Sequence, residues 1–583
     1  MFMGKNELQK LMDTAAGRRP ADLLIKNARI ADVYSGVFFQ GDAAVSGEYI
    51  AGIVPGEGGY EALAVVDAAG AYLLPGFIDS HIHIESSYLC PEEFGRLLVP
   101  LGTTTIITDP HEIVNIAGLS GLAYMLGAAE QSALDIKFML PSCVPATPFD
   151  HAGARIDAQD MAKPLEDGRI LGLGEFMDFP DLIGGKDAVL DKVILARKAG
   201  KLIDGHAPLL TGKDLNAYTA SGIHTDHECT TVEEMQEKIS RGMYAMLRQG
   251  SACDDLAVLV KGVTDKNNRR CLLCSDDLQP RTIRERGHMN ALLKNCVEAG
   301  LAPMAAIRMA TLNAAECFRL HDRGAIAPGL RADMVLVHDL ENFHAEKVFI
   351  AGKLISENNR YLPQIIRHDD SAVRGTFHVR DFSKERLKLR LNSDTVYVID
   401  VSAGSLITGK GKAKVKRDSE GCFVHESGVD IAKIAVVERH HNTGNIGLAL
   451  LRGFGIKRGA IAISISHDSH NIITAGVSDD DIVFAVEELL RQNGGMALVQ
   501  GGKLLAGMSL PLGGIMSDQS GEWVEKKLSA IYECARRDLG IKEEIDPVSI
   551  FAFMSLAVIP ELKLTDMGLF DFASRKIIPL EAE

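Results

Sequence analysis

The chain has 583 residues, 46% hydrophobic and 24% charged, and that composition excludes a disordered, collagen-like or coiled-coil protein. Its 62 basic residues against 78 acidic ones give a formal net charge of −16. Nucleic-acid binding, which depends on clustered Lys and Arg to meet phosphates, is therefore not expected, and a small-molecule partner is.

The amino-terminal stretch carries Lys5, Lys10 and Arg18 and lacks the apolar run of a secretory signal. No segment approaches the roughly 18 uninterrupted apolar residues of a membrane span. A cytoplasmic protein without membrane contact is expected, with its ten scattered cysteines as small buried hydrophobes and not disulfides.

Residues 21–74 alternate apolar and polar positions with Gly-rich breaks, the texture of short strands. From Tyr72 follow eight short apolar runs, each closing on a polar residue: YLLPGFIDSHIHI, TTTIITD, IKFMLPS, ILGLGEF, KLIDGHAP, GIHTDHE, MYAMLRQ and CLLCSDD. Between them, segments such as LDKVILARKAG and TTVEEMQEKISRG repeat apolar residues at helical spacing. Eight strand-helix units of this length predict an α/β fold built on a (β/α)8 barrel. After it, GAIAPGLRADMVLVHDLENFHAEKVFIAGKLI returns to strand texture and is expected to pair with residues 21–74. A further stretch mixes strands and helices, among them the Asp-led helix in DDIVFAVEELLRQNGG. The expected organisation is a small composite β domain from 1–74 and 323–385, the barrel at 75–322, and an extra α+β domain at 386–583.

The polar residues that close the runs form one chemical set. His81 and His83 lie two apart on a strand, so both imidazoles project from one face and can reach one ion. Glu175 ends the fourth run, His206 the fifth, His227 the sixth and Asp276 the eighth. A barrel gathers the carboxyl ends of its strands at one mouth, where four His and two carboxylates make a two-metal site.

PGFIDSHIHIESS, GTTTIITDPHEIVNIAG, LPSCVPATP, GLGEF, DGHAP, TDHECT, SDD and PGLRADMVLV resemble the metal-dependent amidohydrolase superfamily. DPHE, SCVPATP, HDSHN and LPLGGIMSD narrow the resemblance to the bacterial adenine deaminases, and together these stretches cover almost the whole chain. The resemblance implies that His81 and His83 bind the more buried of two divalent ions, Glu175 bridges both, and His206 and His227 hold the second. Asp276 would ligate the first ion and carry protons. Many relatives bridge with a carboxylated lysine, but no Lys stands near the end of the fourth run, and Glu175 is the substitute. His224 lies three residues before His227, which is preferred because the family motif reads DHE. Manganese(II) or iron(II) is the implied metal, and zinc also suits mixed imidazole and carboxylate ligands.

The implied reaction is the hydrolysis of adenine to hypoxanthine and ammonia, with a metal-activated hydroxide attacking C6 and Asp276 handling its proton. His111 and Glu112 of DPHE are expected to hydrogen-bond the purine or shuttle a proton, and a homodimer is the expected assembly. The alternatives are an N6-methyladenine deaminase, a hydrolase of another cyclic amide such as a hydantoin, and a scaffold without metals. Other motifs read as structure. Cys271 and Cys274 lack a second ligand pair and should pack in the barrel wall; GSLITGKG lacks the Ser or Thr and the helix of a phosphate loop. HDSHN, with His467, Asp468 and His470, could bind a metal or reach over the barrel mouth, or could equally be a solvent-satisfied loop, and the resemblance assigns it no role.

Overall fold

The computed structural model describes residues 4–56, 58–251 and 253–582. Each of the eight apolar runs contains a strand: β1 Phe77–His83, β2 Thr103–Thr108, β3 Asp135–Leu140, β4 Ile170–Phe176, β5 Leu202–Gly205, β6 Thr225–Asp226, β7 Tyr244–Arg248 and β8 Cys271–Cys274. Every residue of β1 and β2 is buried, as in a parallel sheet covered on both faces.

Parallel ladders join β1 to β5 in chain order, and a second parallel sheet joins β6 to β8. Just past β8, Asp276 pairs with Ile82 and Asp277 with His83 of β1, so the two sheets curl onto each other. Between β5 and β6 the described residues form no ladder, but the His224 N–H reaches the Ile203 carbonyl at 3.4 Å. The predicted helices lie in the connections at Asp187–Lys198 and Val232–Ser240. Cys271 and Cys274 fall in different apolar clusters, as strand positions three apart should, and all ten cysteines are free.

The two flanks of the barrel meet in one nine-stranded sheet, where Met334–Val337 runs antiparallel to Tyr72–Pro75. An unanticipated helix, Lys5–Ala15, buries Leu11 against this sheet beside Leu24, Ala44 and Ala51. The carboxy-terminal part is built on an eight-stranded sheet. Strand alternation sorts its residues: Ala460, Ala462 and Ala497 pack under helix Asp479–Arg491, while Ile461, Ile463, Met496 and Leu498 join the large core on the other face. That helix starts where the Ser478 side chain accepts the Asp481 N–H, with Asp479, Asp480 and Asp481 in its first turn. GSLITGKG runs from a connection at 404–408 into the first three residues of strand Gly409–Lys414.

Helix His111–Ala129 opens just after β2 and is broken at Gly118, whose φ of 58° and ψ of −144° are accessible to glycine. By length and composition it could cross a membrane, but 67% of that stretch is buried inside the fold, as for a core helix.

Candidate metal centre

The side chains of His81 and His83 bring their Nε2 atoms to 3.2 Å from each other. Their other nitrogens are occupied: His81 Nδ1 is 3.1 Å from Asp204 Oδ2, and His83 Nδ1 donates to the Asp109 carbonyl at 2.8 Å. A carbonyl or carboxylate only accepts, so each ring keeps a proton on Nδ1 and each Nε2 is left aimed at a common point, where it can offer its lone pair to a cation that displaces a proton. That arrangement, an imidazole oriented from behind by an acceptor, suits a cation in front.

The remaining expected ligands close around this pair. Glu175, at the end of β4, places Oε1 3.2 Å from His83 Nε2, and its Oε2 lies 2.7 Å from His206 Nδ1 and 3.4 Å from His227 Nε2. One carboxylate thus divides its oxygens between two groups of imidazoles, which is the geometry a bridging ligand needs. Asp276 Oδ1 lies 3.2 Å from His83 Nε2 and 3.7 Å from His81 Nε2. Its backbone is left-handed at φ 60°, the local bend by which the chain leaves β8 to pair with β1. His224 is outside this cluster: its Nδ1 faces the Ile203 carbonyl at 3.0 Å.

The electrostatics favour positive charge at the centre. Burial would raise the Glu175 carboxyl, but hydrogen bonds from His111, His206, His227 and His83 hold it well below the usual carboxylate range. Burial likewise opposes Asp276, yet His83 and the Arg248 guanidinium hold it well below its ordinary value. His83 and His227 rise well above ordinary imidazole against burial, through Asp276 and Glu175 for the first and Glu175 and Glu228 for the second. Four imidazole rings and two ionised carboxylates with no sulfur among them form a donor set fit for two divalent ions.

Several neighbours of this centre carry no signal in the sequence beyond their place in a motif. Glu228 Oε1 lies 3.4 Å from His227 Nε2 and 3.8 Å from His206 Nδ1, a third carboxylate beside Glu175 and Asp276. Arg248, at the end of β7, pairs with Glu228, with Asp276 at 2.9 Å and with Asp255 at 3.1 Å. Asp226 accepts from the buried Lys238 at 2.9 Å and from the Ala207 N–H at 2.9 Å, tying together the loops that carry His206 and His227. The ends of the seventh run and of DGHAP and TDHE were readable as positions; their partners were not.

His111 and Glu112 face the same mouth. His111 Nδ1 is 3.3 Å from Glu175 Oε1, and its Nε2 is 3.5 Å from Glu112 Oε1. Beside them opens a cavity whose barrel side is formed by Glu85, Ser86, Tyr88, Glu112, Asp277 and Gln279. Its other side comes from the carboxy-terminal part: Ile465, His467, His470, Ile515, Ser549 and Phe553. Burial, with the nearby Glu112 charge, pushes the Glu85 carboxyl up to about 7.

Comparison with known proteins gives this geometry a family. A model described as the amidohydrolase family matches residues 72–355, and one described as the adenine deaminase C-terminal domain matches residues 405–576. "Adenine deaminase 2" of Desulfotalea psychrophila is 56% identical over 580 residues, covering 100% of both chains. The adenine deaminases of Ligilactobacillus salivarius and Nitratidesulfovibrio vulgaris are 48% and 47% identical, covering 100% and 97% of both chains respectively. With relatives so similar along its whole length, the chain belongs to the adenine deaminase family of amidohydrolases, whose fold is a TIM-type barrel.

Proposed function

We propose that the chain is a metal-dependent hydrolase that converts adenine and water to hypoxanthine and ammonia. The observation that carries this reading is the convergence of His81, His83, Glu175, His206, His227 and Asp276, with the Nε2 atoms of His81 and His83 aimed at one point. In this assignment His81, His83 and Asp276 hold one ion, His206 and His227 hold the other, and Glu175 bridges. The donor set suits zinc, iron(II) or manganese(II) alike, and the resemblance to adenine deaminases favours manganese(II) or iron(II). The curled ladders support a closed (β/α)8 barrel with β5 beside β6.

Two bound divalent ions supply hydroxide at neutral pH and stabilise charge that develops on the purine. Asp276 takes one proton from the attacking oxygen at Oδ1 while Arg248 holds Oδ2. As the C6–O bond forms, the other proton of the water goes to N1 and the C6=N1 bond becomes single; Asp276 then returns its proton to N6, the C6–N6 bond breaks as C6=O forms, and ammonia leaves. Glu112, on the cavity wall, accepts a hydrogen bond from a purine N–H, and His111 spaces it from Glu175. Apolar side chains of the carboxy-terminal part, Ile465, Ile515 and Phe553, cover the cavity and keep bulk water from the reacting carbon.

Ammonia release from a panel of bases tests this reading, with manganese(II) or iron(II) supplied. Adenine should be the preferred substrate, with hypoxanthine formed in equal amount. Preference for N6-methyladenine or a hydantoin, or no turnover at all, would contradict it.

A further inference from the structure

The HDSHN loop reaches across to the barrel and grips Glu112. His467 Nδ1 lies 2.6 Å from Glu112 Oε1, and His470 Nε2 bonds the other oxygen, Oε2. Partners 355 and 358 residues apart in sequence thus meet on a single carboxylate.

An ionised carboxylate only accepts, so both rings donate to Glu112, and for His470 the atom behind the ring agrees. The Ser466 N–H donates to His470 Nδ1 at 3.2 Å, so the proton of that ring is on Nε2 and is given to Glu112. In this tautomer His470 Nε2 donates to Glu112, so it offers no lone pair to a cation shared by Glu112, His467 and His470. Burial pushes His470 down to about 4, consistent with a neutral donor. Burial alone would raise the Glu112 carboxyl, but His467, His470 and His111 hold it well below the usual range.

The loop itself is braced. His470 has left-handed backbone at φ 55°, and the fully buried Arg439 donates to its carbonyl and, at 2.8 Å, to that of Gly513. The ring of His467 stacks on Phe553 with centroids 4.2 Å apart and planes 18° apart. Neither histidine is needed for the ligand set, yet both are more than nine-tenths buried at its edge.

We propose that His467 and His470 are positioning residues for the deaminase reaction, each donating one hydrogen bond that aims Glu112 at the purine beside His111 and Glu175. The carboxy-terminal part then completes the catalytic site instead of only covering it. This rests on the deaminase reading given above.

Amide replacements distinguish the two donors atom by atom in the full-length protein. The amide nitrogen of Asn occupies the place of Nδ1, and that of Gln the place of Nε2. His467→Asn and His470→Gln should therefore stay within about tenfold of the wild-type kcat, while His467→Gln and His470→Asn lose about 100-fold, the cost of a group misplaced by an ångström or so. Bound metal and Tm are measured on all four, and the loss should appear in kcat with both unchanged. If one pair of variants does not fold, the other carries the same contrast. The reverse ranking, an equal loss in all four, or wild-type kcat in all four overturns the proposal. A wild-type protein that releases no ammonia from adenine overturns the deaminase reading and this proposal together; an active one with four equal variants overturns the proposal alone.

Discussion

Glu175 has no spare oxygen: Oε1 serves His83 and His111, and Oε2 serves His206 and His227. Replacing it with Gln keeps the shape but removes the charge that draws two cations to one point. Glu175→Gln should remain folded, lose one or both metals by elemental analysis, and lose most activity. Added bicarbonate should leave wild-type activity unchanged, since the bridge needs no carboxylated lysine. Asp276 is both a proposed ligand and the proton carrier, so Asp276→Asn should lower kcat by at least the 10² to 10⁴ or so that an acid-base group contributes alone. An Asn variant retaining more than a tenth of the rate would move the role to Asp277, which pairs opposite His83 and lines the cavity. The six converging positions were legible because each closes an apolar run, where strand chemistry stops and the mouth begins. Glu228 and Arg248 were not, because an acid after a His or an Arg after a strand carries no periodic signal of what it will touch.

Helix Val232–Ser240 shows how an outer helix reaches the centre. Its Lys238 is fully buried and donates to Asp226 at 2.9 Å, to Glu234 at 2.8 Å and to the Ala207 carbonyl at 2.8 Å. Asp226 precedes His227 and Ala207 follows His206, so one ammonium ties both imidazole-bearing loops to the helix behind them. Removing it leaves two buried carboxylates without their cation, a loss of about 3–5 kcal/mol for a broken buried pair. Lys238→Met should lower the free energy of unfolding by about that amount in a urea titration and weaken metal retention; an unchanged midpoint would show that the pair carries no net stability. The helix itself was readable from the apolar spacing in TTVEEMQEKISRG. Its buried Lys looked like any other polar position, since burial of a charge depends on acids that arrive from elsewhere.

The carboxy-terminal part shares the large apolar core with the barrel: Ile113 and Ile116 cluster with Leu512, Ile515 and Met516. The cavity has walls from both parts of the chain, Ile465 and Phe553 among them, and a ribose on the purine would need space between them. Adenine should have a far higher kcat/KM than adenosine when both are followed by ultraviolet absorbance, and comparable values would contradict a cavity fitted to the free base. Strand texture on both flanks of the barrel made the joint sheet legible, because an antiparallel partner for Tyr72–Pro75 had to come from beyond the barrel. The grip of His467 and His470 on Glu112 was not legible: HDSHN stood out as a motif, but nothing local records a partner more than 350 residues away.

The central claim is that adenine is hydrolysed at a centre of two ions held by these six side chains. Its most direct test is a titration of metal-free protein with manganese(II) or iron(II), following hypoxanthine formation and bound metal together. Activity should rise to a plateau at two equivalents per chain and be absent without metal. Turnover in the metal-free protein, or a plateau at one equivalent, would contradict the account.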